Sequence, residues 1–186
     1  MVTVVGISGS LRKGSFNSAM LRAAGALMPP DSELRIESIA GIPLYNGDDE
    51  AAHGVPEAVT RLKDAITAAD GFFLATPEYN NGIPGVTKNA IDWLSRPPHD
   101  ARLKGKPVAI VGAGGRLGSA RAQYHLRQVC GCLSMLPVPR PEIFIASAWE
   151  KFDDGRLTDQ AAVKQVEELL AALAEWTRLL QRAAHA

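Results

Sequence analysis

Short apolar runs rich in β-branched residues alternate along this chain with longer segments of helical periodicity, and that alternation restricts the fold more than any other feature. Val2-Thr3-Val4-Val5-Gly6-Ile7 is apolar on both faces and reads as a buried parallel strand. Ala19, Ala23 and Leu27 then recur at helical spacing until Pro29-Pro30 forbids continuation. Leu34 to Ile39 alternates like a half-exposed strand near a sheet edge, and Ile42 to Gly54 reads as a long acidic loop. Pro56 opens a helix with Val59, Leu62, Ile66 and Ala69 on one face. Gly71 to Ala75 is a buried strand, and Pro84 to Ser95 carries the next helix. Pro107 to Val111 is a fourth strand, Ser119 to Cys132 a helix, and Ile143 to Ile145 a fifth strand. The last helix, about Asp159 to Arg182, has the stripe Val163, Val166, Leu170, Leu173, Thr177 and Leu180. Such alternation predicts an α/β fold with a parallel sheet covered on both faces. Right-handed crossovers favour the doubly wound, flavodoxin-like strand order 2-1-3-4-5. With 186 residues and neither repeats nor a linker, residues 1–186 read as one domain.

Charge excludes several partners. Lys+Arg and Asp+Glu are both 20, which leaves no electrostatic footprint for nucleic acid or an anionic membrane. No apolar run approaches the ~18 residues of a membrane span, and no secretory pattern precedes the first strand, so a cytoplasmic location is expected. Cys130 and Cys132 fall on different helix faces, too few for zinc and badly placed for a disulfide, and read as reduced structural thiols.

In a doubly wound sheet, ligands bind beyond the carboxyl ends of the strands. Three loops lie there. The first, Ser10-Leu11-Arg12-Lys13-Gly14-Ser15-Phe16-Asn17, joins the first strand to the first helix. Unpaired N–H groups and the helix dipole make that junction an anion site, and Ser8, Ser10, Ser15, Asn17 and Arg12 are donors suited to a phosphate monoester. Ser15 also reads as a helix N-cap. The second loop, Thr76 to Gly85, has its course fixed by Pro77 and Pro84; Glu78 to Gly82 would present backbone N–H groups, and Tyr79 an aromatic edge, to a planar ring. The third, Gly112 to Gly118, is dense in glycine, which suggests close backbone approach to a flat or charged ligand. It is not a dinucleotide fingerprint: Leu117 stands where the last glycine belongs, and no acidic residue follows about 20 positions on. A flavin mononucleotide fits better, with its phosphate in the first loop and its ring between the second and third.

Four segments, Gly9 to Asn17, Pro77-Glu78-Tyr79-Asn80, Pro84 to Ser95 and Ala120 to Val129, together resemble the NADPH-dependent FMN reductase family, in particular its bacterial chromate/quinone reductase branch. The resemblance implies a flavodoxin-like fold, non-covalent FMN, and NADPH or NADH as co-substrate. It also implies two-electron reduction of quinones, flavins, azo dyes or metal oxyanions such as chromate. Carried over by motif, Ser10 to Asn17 hold the phosphate, Pro77, Glu78, Tyr79, Asn80 and Asn81 line the isoalloxazine, and Gly114 lies on the third loop. The chemistry belongs to N5 of the flavin, so no side chain is expected to be catalytic, and no metal site is expected. Family resemblance also suggests homodimers pairing into homotetramers. Arg121, Tyr124, His125 and Gln128 share a polar-aromatic helix face that suits an interface, with Glu142 as a partner for Arg121 across it. Two other readings remain open: an electron carrier without turnover of its own, which the zero net charge disfavours, and a phosphate-binding regulator without flavin.

Overall fold

The computed structural model describes residues 1–98, 100 and 102–184. Strands β1 (Val2–Ser8), β2 (Ser32–Glu37), β3 (Gly71–Ala75) and β4 (Pro107–Ala113) form a parallel sheet in the order β2-β1-β3-β4. Two short strands, β5 (Leu136–Pro137) and β6 (Ile143–Ile145), pair in succession along β4 and together fill the fifth place. The flavodoxin-like order is as the sequence predicts, but the fifth strand is broken. Pro139 and Pro141 fall in the gap, and each lacks the N–H a continuous ladder needs.

Alternation along each strand divides the core. Val2, Val4, Phe73, Ala109 and Val111 pack against helices α1 (Phe16–Ala26) and α6 (Gln160–Ala184). Val5, Ile7, Phe72, Leu74 and Ile110 face α3 (Glu57–Ala68), α4 (Gly85–Leu94) and α5 (Ala120–Cys132). β2 is the exposed edge, with Ile36 and the paired Glu33 and Arg35 turned outward. A hairpin of β7 (Phe152–Asp153) and β8 (Arg156–Leu157) packs on α1, where Phe152 lies 5.1 Å from the Phe16 ring.

The segment read as an acidic loop is partly helical. α2 (Gly47–His53) is capped by Asn46, whose side chain accepts from the Asp48 N–H, and Asp48, Asp49 and Glu50 fill its first turn. Carboxylates there oppose the helix dipole favourably, so the acidic run is a helix start. Glu50 also accepts from Arg96 Nε at 2.8 Å and from the Tyr45 hydroxyl at 3.0 Å, tying α2 to the end of α4. Nearby, the Lys63 ammonium, 4% exposed, pairs with Asp100 at 2.7 Å. Cys130 is buried and Cys132 exposed, both free thiols, and burial pushes the Cys130 thiol up to about 11. No described helix is long and apolar enough to cross a membrane.

Candidate functional site

All three loops gather at the carboxyl end of the sheet. In the first, Ser15 caps α1, its Oγ accepting from the Ser18 N–H, while the Ser15 N–H donates to the Arg12 carbonyl. The N–H groups of Lys13, Gly14, Phe16 and Asn17 find no acceptor among the described residues, and the Ser15 hydroxyl proton remains free. Arg12 and Lys13 are exposed and form no ion pair among the described residues; the Arg12 guanidinium lies 5.7 Å from the Phe16 ring centroid. This donor set fits a phosphate. Two of the expected phosphate ligands are spent elsewhere. The Asn17 amide is buried and bonded twice to the Ala113 backbone, so only its N–H remains available. Ser8 Oγ donates to the Ser10 carbonyl and accepts from the Ser10 N–H and the Ser18 hydroxyl, so it shapes the loop from within.

The second loop is a tight turn. Tyr79 and Gly82 exchange backbone hydrogen bonds of 3.2 and 3.0 Å, and Asn80 and Asn81 between them have φ of 48° and 63°. Asparagine tolerates that left-handed region, and two such residues in succession are the mark of a type I′ turn. The N–H groups of Tyr79 and Gly82 are therefore consumed, contrary to the expectation for the whole Glu78–Gly82 run. Those of Glu78, Asn80 and Asn81 find no acceptor among the described residues. Tyr79 Oη stands 3.4 Å from Ser10 Oγ and links the first two loops, while Pro77 is buried behind them.

The glycines of the third loop divide into two kinds. A Cβ on Gly112 would stand 1.8 Å from Ser119 Oγ and 2.2 Å from the Thr76 carbonyl, and one on Gly118 2.5 Å from the Phe144 backbone. Those two glycines are required by packing rather than by a ligand. Gly114 and Gly115 are different: a Cβ meets nothing nearer than 3.6 Å at Gly114 and nothing within 4 Å at Gly115.

Together Glu78, Asn80, Asn81, Gly114, Gly115, Arg116, Leu117, Ser119 and Arg121 line a cleft of about 720 Å³. Beside it Ser10 and Leu11 line a second hollow of about 420 Å³ that reaches β2. Arg116, Leu117 and Ser119 are wall residues that the sequence reading did not assign. Arg121 also lies on this wall: its Nη1 donates to Asn81 Oδ1 at 2.7 Å and to Glu78 Oε1 at 3.3 Å. Glu142 is engaged within the same chain, by Arg127 at 3.3 Å and Arg140 at 2.9 Å. The expected Arg121–Glu142 pair therefore has to compete with bonds each residue already makes. Tyr124 is exposed with its ring 5.9 Å from Phe144, and His125 Nδ1 lies beside Gly82. Among the described residues no His, Cys, Asp and Glu groups are arranged to hold a metal.

A doubly wound sheet with a donor-rich turn after β1 and a glycine-walled cleft after β3 and β4 defines a flavodoxin-like protein. Residues 2–150 match the NADPH-dependent FMN reductase family, and the chain belongs to it. It is 51% identical over 182 residues to an NAD(P)H-dependent FMN reductase of Pseudomonas aeruginosa, covering 97% of each chain. It is 42% identical to a quinone reductase of Escherichia coli, covering 93% of this chain and 94% of that one. Among solved structures it superposes with a TM-score of 0.85 and 35% identity on an NAD(P)H:(acceptor) oxidoreductase from Paracoccus denitrificans, covering 96% and 98% of the two chains. The protein is thus an enzyme that uses FMN with NAD(P)H as electron donor.

Proposed function

We propose that the protein is an NAD(P)H:quinone oxidoreductase whose FMN phosphate sits in the first loop and whose ring lies in the 720 Å³ cleft. One observation carries this reading: open Gly114 and Gly115 line that cleft together with Asn80 and Asn81, whose N–H groups find no acceptor among the described residues, and the Ser10–Tyr79 contact ties it to the donor-rich first loop. The Arg12 guanidinium and the Ser10 and Ser15 hydroxyls join those N–H groups around the phosphate. Pro77, Glu78 and Tyr79 fix the second loop, and Asn80 and Asn81 would donate to the ring. FMN held there would supply hydride chemistry, the net reaction being oxidation of NAD(P)H to NAD(P)⁺ and two-electron, proton-coupled reduction of a quinone to the hydroquinone. Gly114 and Gly115 would leave room in the cleft for nicotinamide and acceptor in turn, and no side chain is needed as an acid, base or nucleophile.

The acceptors are small molecules. Relatives from Escherichia coli and Burkholderia are named for quinone and 2-hydroxy-1,4-benzoquinone reduction, and the same two-electron chemistry extends to free flavins, azo compounds and chromate. We read residues 1–186 as one domain, supported by the two hydrophobic clusters on the faces of one sheet, and place the enzyme in the cytoplasm. A homodimer or homotetramer assembled through Tyr124 and Arg121, with Glu142 near the seam, is part of the same reading. The test is steady-state oxidation of NADPH and NADH with a benzoquinone, free FMN, an azo dye and chromate in parallel. Parallel-line kinetics with the quinone is the expected result. An FMN-loaded protein that oxidises neither nucleotide overturns the proposal, and inactivity with chromate or the dye alone removes those two acceptors.

A further inference from the structure

Helix α5 begins without a cap of its own. Its N-cap residue Ser119 is left-handed, at φ 67°, and its hydroxyl accepts from the Gln123 side chain at 3.1 Å instead of from the first turn. The cap comes from Glu78, 43 residues earlier: Oε2 accepts from the Arg121 N–H at 2.8 Å and from the Ala122 N–H at 3.2 Å. Its other oxygen accepts from Arg121 Nη1, which also holds Asn81 Oδ1. The carboxylate is 13% exposed and the Arg121 side chain 51%. One negative charge thus meets two positive ones, the helix N-terminus and the guanidinium, on the wall of the cleft.

We propose that Glu78 and Arg121 form a charge pair that sets how strongly the cleft favours reduced over oxidised FMN, Glu78 lowering that preference and Arg121 raising it. This rests on the placement of the flavin ring in that cleft. Two-electron-reduced FMN carries more negative charge than the oxidised form, so it senses any uncompensated charge on the wall. Removing the carboxylate leaves the guanidinium and the helix end unopposed and favours the reduced form. Removing the guanidinium leaves the carboxylate less compensated and does the reverse. Both are positioning residues: Glu78 fixes α5, and Arg121 fixes the Asn81 amide and hence the turn whose N–H groups face the cleft.

The experiment compares Glu78→Gln, Glu78→Asp and Arg121→Gln with the parent, all loaded with FMN. Oxidised FMN affinity is measured by titrating the apoprotein, and the midpoint potential by equilibration with a reference dye. The ratio of reduced to oxidised affinity follows from the potential. Glu78→Gln is expected to raise that ratio about tenfold, which is about 30 mV for two electrons. Arg121→Gln is expected to lower it, and Glu78→Asp, which keeps the charge, to stay near the parent. A clamp of purely mechanical importance predicts that both neutral variants move the ratio the same way or leave it unmoved while melting earlier; either outcome overturns the inference. A parent apoprotein that does not bind FMN overturns the flavin site itself, and this inference with it.

Discussion

The side chain of Asn17 and the backbone of Ala113 are joined by two hydrogen bonds of 2.9 Å each, across 96 residues of chain. The Asn17 Nδ2 donates to the Ala113 carbonyl and the Ala113 N–H donates back to Oδ1, so the start of α1 is locked to the end of β4. This places the first and third loops in fixed register at the carboxyl end of the sheet.

Asn17→Ala strands both backbone groups of Ala113 in a buried place, at about 1–3 kcal/mol for each unsatisfied group. Urea unfolding is expected to report a loss of about 2–6 kcal/mol. A loss under about 1 kcal/mol would mean that water reaches Ala113 and replaces the amide.

Arg12→Ala acts on binding and not on folding, because the side chain is exposed and forms no ion pair. The lost charge-assisted bond is worth about 1.5–3 kcal/mol, so FMN affinity should fall about tenfold to a hundredfold with an unchanged melting temperature. Ser15→Ala should show the opposite balance, with a smaller effect on FMN and about 1 kcal/mol lost from the cap of α1. Fluorescence titration of the apoproteins decides, and parental affinity in both variants removes the phosphate from this loop.

Gly112→Ala and Gly115→Ala separate packing from ligand approach within one loop. The first forces a methyl against Ser119 and the Thr76 backbone and should cost about 3 kcal/mol or fail to fold. The second meets nothing and should melt with the parent, yet bind FMN more weakly because its methyl stands in the cleft. Equal melting temperatures for the two variants would contradict the division.

Acid should act on the Lys63–Asp100 pair. Burial by itself raises the Asp100 carboxyl, but the Lys63 hydrogen bond, the Arg102 N–H and the charges of Lys63 and Arg102 outweigh it, and the group titrates below the ordinary carboxylate range. A lowered folded value means that the stabilisation is present above the unfolded pKa of about 3.9 and disappears as pH falls through the folded value. Asp100→Asn is therefore expected to melt earlier than the parent at neutral pH, with the gap closing below about pH 4. A gap that stays constant down to pH 3 would show that the carboxylate charge is irrelevant.

His125→Ala should keep most of the rate per bound flavin. The imidazole lies beside Gly82 and makes no hydrogen bond to the turn. Stopped-flow flavin reduction checks this, and complete loss in an FMN-replete variant would make the histidine catalytic.

Most of the architecture was legible because strand and helix periods differ and each strand carries its own apolar signature. The place of the first loop was legible as well, since a strand–helix junction is written in adjacent residues. What escaped was of two kinds. Short elements were hidden in polar sequence: α2 behind its acidic first turn, and the β7–β8 hairpin, whose Asp154-Gly155 turn has φ of 41° and 68° and is a recognised hairpin signal. Long-range polar partnerships were hidden altogether. Glu78 and Asn17 read as ligand groups because nothing near them in sequence reveals the helix end and the strand end they serve.

Helix α6 follows every strand of the sheet in the chain, yet Val166, Leu170 and Leu173 cover the same face as Val4, Phe73 and Val111. On a ribosome the strands therefore emerge well before α6, and the part of that face that α1 does not cover stays greasy until the last helix has been made. A product truncated ahead of residue 160 is therefore expected to aggregate rather than to work as a smaller reductase.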